Sequence, residues 1–401
     1  MRGDMDVKYI RITDFNDFGI VVGTAFVTAE VIRPEFLLHN EDVLFARSGA
    51  TAGKTFIYVD DIGPAIFAGY CIRFVFDKAR VLPWYVYLYT KTRAYRAWVR
   101  AMQRPSGQPN INKEEFKSLS IPVPSIATQQ RLTSAMQEAR ESRKRKLAEA
   151  EALLKGMDEF LIQAIGLREP REVAQGAYCV HLRQVKVDKR LNAEYFHPER
   201  IAAIQAIRSG RNVVCTAPLM EVVDFVREVG SVAKPDHYVG LANVQSHSGE
   251  LAPMPDEEVK GQHFRFEAGD VLFARLRPYL NKVWCAEEAG TCSTEFHVMR
   301  IRHAGEGDKR VLPDYLAAVL RSSITVKQTK HMMTGNTHPR LANEDVVNLL
   351  VPIVSEKLQS TIVEEFTRRR THARNLRVEA EREWEAAKAW FEEQLLGKIT
   401  R

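Results

Sequence analysis

The sequence is poor in the patterns on which secreted, membrane and catalytic proteins depend. Its five cysteines, Cys71, Cys179, Cys215, Cys285 and Cys292, are scattered and form no C-x-x-C pair. An odd, dispersed set argues against a disulfide framework or a cysteine zinc site and fits a reducing cytoplasm. The amino terminus, Met1-Arg2-Gly3-Asp4, has no apolar signal core, and no run approaches the roughly 18 apolar residues of a membrane span. No H-E-x-x-H, G-x-S-x-G or metal-spaced histidine set occurs among the 11 histidines. His237, His247, His263 and His297 fall in one region but share no ligand spacing. Nor is there an F-x-G-x-G or N-P-P-[YF] element for methyl transfer. Ser48 to Thr55 approaches a phosphate-binding G-x-x-x-x-G-K-[ST] loop, but serine stands where the first glycine must let the backbone reach the phosphate. A soluble, intracellular binder is expected, with no metal and no catalytic group.

What is present is organised by one stretch. Asp42-Val43-Leu44-Phe45-Ala46-Arg47 recurs letter for letter as Asp270-Val271-Leu272-Phe273-Ala274-Arg275. Lys54 answers to Lys282 at the same offset of 228, and Arg80-Val81-Leu82-Pro83-x-Tyr85 recurs at an offset of 230 as Arg310-Val311-Leu312-Pro313-x-Tyr315. Met102, Pro109, Glu114, Leu119 and Pro122 repeat at 230 as Met332, Pro339, Glu344, Leu349 and Pro352. So small a drift implies one domain present twice, since solenoid units are far shorter. The 401 residues, 45% hydrophobic and 27% charged, suffice for two cores. A formal charge of +6 permits a polyanionic partner without requiring one.

Each copy reads as mixed α and β. Tyr9 to Thr13 and Tyr238 to Asn243 predict opening strands, and the shared Asp-Val-Leu-Phe-Ala run predicts a strand buried on both faces. Ile66 to Phe76 and Glu295 to Ile301 predict further strands. Pro83 and Pro313 mark helix starts, the first helix carrying Tyr85, Leu88, Tyr95 and Val99 on one face. Loops rich in Pro, Gly and Asn follow at 104–110 and 334–340, and Ile121 to Pro124 and Val351 to Ile353 predict breaks. Long helices are then expected from Thr128 to about Ile165 and from Leu358 to Leu396, each with a 4-3 apolar stripe rich in alanine and each roughly 50 Å long. Such stripes predict a closely packed, coiled-coil-like antiparallel pair. Arg143, Lys146, Arg369 and Glu383 interrupt them. The basic runs 143–146 and 368–370 read as solvated faces with acidic neighbours sooner than as nucleic-acid patches.

In this order the motifs resemble those of the specificity (S) subunits of type I restriction-modification systems. The resemblance rests on Glu41 to Lys54, Leu82 to Tyr85, Gly107 to Asn112, Ile121 to Pro124 and Thr128 to Ile165, and again on Gly269 to Lys282, Leu312 to Tyr315, Gly335 to Asn343, Val351 to Ile353 and Leu358 to Leu396. It implies an α+β chain with two tandem target-recognition domains separated by two long antiparallel helices. The expected bounds are 1–124 for the first recognition domain, 125–180 for the central helix and linker, 181–354 for the second domain and 355–401 for the final helix. It implies a non-catalytic reader of double-stranded DNA, each domain contacting half of a bipartite, asymmetric site and the helices setting the spacer. Two methyltransferase (M) subunits would bring S-adenosylmethionine to methylate adenine, and restriction (R) subunits can join; the chain itself is expected to bind no cofactor. The second copy has a segment before Tyr238 with no counterpart ahead of Tyr9, so the first domain is expected to lack its opening segment, by truncation or by a start placed too far downstream. The residues alone leave another class open, an interaction scaffold whose helix pair assembles proteins without reading DNA.

If two copies of one scaffold read different half-sites, residues shared between them hold the fold or grip phosphate, and divergent residues at matched loops read bases. Shared Arg47/Arg275 and Lys54/Lys282 are expected to contact phosphate or to form ion pairs within the domain. Divergent Ser48 to Thr51 against Leu276 to Tyr279 are expected readers, with Arg277 suited to guanine O6 and N7. Gln108 and Asn110, and opposite them Asn336, His338 and Arg340, offer groups for adenine or guanine edges, or plain turn chemistry.

Overall fold

The computed structural model describes residues 7–16, 19–20, 27–28, 32–102, 109–168, 177–230, 238–252, 261–302, 310–333 and 339–395. Its helices are α1 (Pro83–Tyr89), α2 (Arg93–Met102), α3 (Lys113–Lys117), α4 (Ile126–Ile165), α5 (Leu182–Asp188), α6 (Pro198–Arg208), α7 (Leu219–Val222), α8 (Pro313–Leu320), α9 (Ser323–Thr329), α10 (Asn343–Val347) and α11 (Glu356–Leu395). Contacts divide the chain into two compact units, Met1–Ala148 with Leu376–Arg401, and Glu149–Asn375. Each long helix therefore contributes to both units.

In the first unit the strand Val43–Ala46 lies between Thr55–Ile57 and Cys71–Phe74, antiparallel to both. In the second, Val271–Ala274 lies between Val283–Cys285 and Phe296–Ile301 in the same sense, and Val223–Val226 extends the sheet. All four residues of each central strand are buried, as their unbroken apolar run requires. The opening strands are shorter than the alternation predicts. Lys8–Ile10 pairs parallel to Ala65–Phe67, and then the Asp14 carboxylate accepts the Arg11 backbone N–H at 2.8 Å and turns the chain. Tyr238–Val239 pairs parallel to Gly290–Ser293 in the corresponding place.

The helix expected from Pro83 through Val99 is two helices. At the break the Thr90 and Thr92 hydroxyls donate to the Tyr87 and Tyr89 carbonyls at 2.6 and 2.7 Å, competing with the helical ladder. The break recurs between α8 and α9, where Ser322 and Thr325 both donate to the Val319 carbonyl. A second difference lies at Val351 to Ile353. Pro352 does not end an element but sits inside the strand Leu350–Val354, paired antiparallel with Val213–Pro218. A two-stranded ribbon has an open edge where the missing N–H of proline costs nothing.

Each unit locks its first helix to its long helix in the same way. Tyr85 Oη donates to the Pro122 carbonyl at 2.7 Å, and Tyr315 Oη to that of Pro352 at 2.8 Å. Gln129 and Gln359 each accept the N–H of the residue before the helix-starting proline, Leu82 or Leu312, at 2.8 Å. Both glutamines are fully buried, so these bonds satisfy amides that would otherwise be costly to desolvate.

The long helices pack together in each unit. In the first, Arg131 meets Gln394 and Arg143 meets Glu381, so the pair is antiparallel. The stripe through Leu132, Met136, Trp384 and Phe391 joins the core formed by Val43, Phe45, Tyr85 and Phe116. The polar residues that interrupt the stripe are cross-helix ion pairs: Arg143 with Glu381 at 2.9 Å, and Lys146 with Glu379 and Glu383 at 3.2 and 2.6 Å. In the second unit Met157, Leu161, Ile362 and Phe366 join the core of Val271, Phe273, Tyr315 and Met299. There Arg369 donates to the Gly156 carbonyl at 2.6 Å and lies 4.9 Å from the Phe160 ring centre. A Cβ on Gly156 would stand 3.2 Å from that guanidinium, so the glycine leaves room for it.

Candidate nucleic-acid interface

Both units hold the loop after the central strand in the same backbone frame. Arg47 N–H donates to the Tyr70 carbonyl at 2.9 Å, and Arg275 N–H to that of Glu295 at 2.8 Å. Gly49 N–H donates to the Pro109 carbonyl at 2.9 Å, and Arg277 N–H to that of Pro339 at 2.8 Å. Single antiparallel bridges join Ser48 to Asn110 and Leu276 to Arg340. Ser48 with Asn110, and Leu276 with Arg340, thus meet at a strand end in each unit, although the members of each pair lie some sixty positions apart in sequence.

Different side chains stand on this frame. In the first unit Arg47, Ser48, Gly49, Gly69, Tyr70 and Asn110 line a concavity of about 520 Å³. Asn110 is exposed, and Thr51 ends a short 3-10 turn with its hydroxyl 3.5 Å from the Ser48 carbonyl. In the second unit exposed Arg340 is bound by Glu295, at 2.5 and 3.3 Å, which raises its pKa above the ordinary arginine value. Arg277 has φ +50°, where glycine is favoured, and its matched residue is Gly49 at φ +74°. Its half-buried guanidinium has an Nε without a hydrogen-bond partner. A bulky residue held in the left-handed region is strained by roughly 1–3 kcal/mol, a cost found where side-chain placement serves function. Tyr279 is 42% exposed two positions on.

The shared cations are not equivalent. Lys54 is exposed, whereas Lys282 is half-buried with Nζ on the Leu241 carbonyl at 2.6 Å, and burial lowers its pKa. Arg275 donates weakly to the Thr294 carbonyl at 3.5 Å, and its Nε is buried without a partner. Gln108, Asn336 and His338 lie outside the described residues.

Two features escaped the sequence pattern. Tyr70, 64% exposed, and Glu295 occupy matched positions, but the offset between copies has fallen to 225 there, away from the 228 and 230 that align the motifs. His197, Glu199 and His331 also come together, their ligand atoms within 4.8 Å of one another. The two rings stack at 3.4 Å with an interplanar angle of 15°. Lone pairs on stacked rings run parallel and do not converge on one ion, and Glu199 is already held by His331 at 2.6 Å and Lys330 at 3.2 Å. Among the described residues no helix is long and apolar enough to cross a membrane.

Comparison with known proteins agrees with the motif resemblance. Residues 2–152 match the family model of the type I restriction modification DNA specificity domain. A solved chain from a study of complex assembly and conformational transition of the type I R-M system is 14% identical, with 98% of this chain and 92% of that chain covered and a TM-score of 0.54. Two further structures cover 98% of this chain: the S subunit of a type I restriction-modification system from M. genitalium, 12% identical over 89% of its length with a TM-score of 0.45, and the HsdS subunit from Thermoanaerobacter tengcongensis, 14% identical over 91% with a TM-score of 0.40. At these identities the first likeness speaks for a shared fold. No curated protein matches the chain.

Proposed function

We propose that this chain is the DNA-recognition subunit of a type I restriction-modification complex, reading a bipartite, asymmetric site and positioning methyltransferase subunits for adenine methylation. A DNA specificity domain binds DNA and leaves the chemistry to its partners, and the match over residues 2–152 supports that assignment. The observation that carries the bipartite reading is the pair of matched loops. The hydrogen bonds from Gly49 to Pro109 and from Arg277 to Pro339 fix one frame twice, while Ser48, Tyr70 and Asn110 of one copy are replaced at the matched positions of the other by Leu276, Glu295 and Arg340. A repeated frame with changed side chains suits two half-sites of different sequence. In this reading α4 and α11 set the unspecified spacer, two methyltransferase subunits carry S-adenosylmethionine, and restriction subunits are optional partners.

The test is modified-base sequencing of the host genome with and without the gene. A methylated-adenine bipartite motif that disappears on deletion is the expected result and gives both half-sites at once. An unchanged methylation map would refute the reading and favour the scaffold.

A further inference from the structure

We propose that Lys54, Arg96 and Arg100 form a sequence-blind grip on the phosphate backbone, carried by the first unit alone. The inference rests on the DNA-binding reading above and adds where the non-specific affinity resides. Arg96 and Arg100 are four residues apart on α2, hence on one helix face and about 6 Å apart along its axis. Both are exposed, as is Lys54 on the neighbouring loop. With Gly53, Tyr95 and Val99 they line a groove of about 730 Å³. Gly53 has φ +86°, and a Cβ there would meet Val99 Cγ1 at 2.6 Å, so the loop lies directly against α2.

The other charges around this groove are already committed. Glu381 is paired with Arg143, Glu385 with Lys388, and Arg93 with Glu392. Lys91 donates to the Thr55 carbonyl at 3.3 Å and sits 4.4 Å from the Tyr87 ring centre. Lys54, Arg96 and Arg100 have no ion pair among the described residues, leaving a surplus of positive charge beside the loop that bears Ser48 and Thr51.

The second unit has the corresponding groove, of about 530 Å³, but without the grip. There Arg321 donates to the Val283 carbonyl at 3.2 Å, as Lys91 does to that of Thr55. Arg96 is matched by Val326, Arg100 by Lys330, which is held by Glu199, and Lys54 by Lys282, which is held by the Leu241 carbonyl. One frame therefore carries available cations in one unit and none in these positions of the other. Two arginines on one helix face with a lysine on the adjoining loop, all of one sign, fit a polymer of regularly spaced anions better than a protein surface of mixed sign.

The test measures binding of the full-length chain to two short duplexes of unrelated sequence by fluorescence anisotropy across a salt series. For the triple variant Lys54→Gln/Arg96→Gln/Arg100→Gln, the slope of log K against log salt should fall by about 2 to 3, close to 0.9 per phosphate contact. The loss should be equal on both duplexes, with the circular dichroism melt unchanged. The double variant Lys282→Gln/Lys330→Gln should leave the slope as in the parent. If the parent binds and the triple variant keeps its slope, the grip is refuted while the DNA reading stands; loss of a methyltransferase partner in place of the slope would give this face to a protein. A parent that binds neither duplex at low salt overturns both.

Discussion

The two units repeat the same hydrogen bonds at matched positions of their scaffold, yet they differ in what they bury and what they expose. Where the first unit pairs Phe45 with Ile72 across its central strand, the second pairs Phe273 with His297. Where the first has Gly49, the second has Arg277 at positive φ. Where the first caps a helix with Asn112, the second has Ala342. A duplicated frame is held by backbone groups and a few buried side chains, so the remaining positions are free to diverge in charge. On the proposed reading the difference between the units marks where specificity is set, and substitutions that transplant one unit's residue into the other test it directly.

The largest effect should come from His297. It is 5% exposed, and its Nε2 has no hydrogen-bond partner. Burial, then the charges of Arg275 and Arg227, push its pKa from 6.5 to about 3. The unfolded chain takes up a proton near pH 6.5 and the folded unit does not. Stability is therefore intact above about 6.5 and falls as pH drops towards 3, by at most about 1.4 kcal/mol per pH unit. The amides of Phe296–Ile301 should lose hydrogen-exchange protection with acid sooner than those of Cys71–Phe74. His297→Ile, the residue of the first unit, should flatten that dependence. Equal acid sensitivity of both strands in the parent would remove the distinction.

Much of this architecture was legible in the sequence because repetition reports what a frame requires. Asp42-Val43-Leu44-Phe45-Ala46-Arg47 and its copy are buried central strands, and Tyr85 and Tyr315 are the locks on the two proline carbonyls. The two long helices are described as Ile126–Ile165 and Glu356–Leu395, within two residues of the expected starts. What was not legible depends on contacts that pattern does not encode. The break after α1 follows from threonine hydroxyls whose partners lie three residues back. The ion pairs that Arg143 and Lys146 make with the other long helix cannot be read from the acidic neighbours on their own helix. Tyr70 and Glu295 were hidden by a change of offset inside a loop, and the strand around Pro352 by a partner, Val213–Pro218, far away in sequence. Arg277 was already a candidate reader from its side chain, but its left-handed backbone angle could not be read from the sequence.

That angle gives the second prediction. Replacing Arg277 with the residue of the matched position, as Arg277→Gly, relieves the left-handed strain and removes the guanidinium together. The fold should be retained, and the melting temperature should not fall. Discrimination at one position of the second half-site should weaken by about 1 to 3 kcal/mol, read by competition between cognate and singly substituted duplexes. The converse change, Gly49→Arg, should leave the first half-site recognised less well, because Gly49 lines the concavity with Asn110 and Tyr70. Unchanged discrimination after Arg277→Gly would assign the strain to packing.

The smallest effect concerns the helices that follow the two loops. Asn112 caps α3, its side chain accepting the Glu114 and Glu115 N–H groups at 2.9 Å while Glu115 accepts the Asn112 N–H at 2.7 Å. Ala342, in the matched position before α10, has no side chain to do this. There the second unit relies on Arg190, which holds Asp345 at 3.1 Å and Glu344 at 3.3 Å, the latter carboxylate largely exposed. Asn112→Ala should cost the first unit about 1 kcal/mol, and Ala342→Asn should add up to a similar amount to the second, both read as shifts in denaturant midpoint. If both changes move stability as predicted, the loops are anchored by the same device at different strength. If Ala342→Asn is neutral, the ion pairs of Arg190 already supply what the missing cap would, and the two units reach the same anchoring by different chemistry.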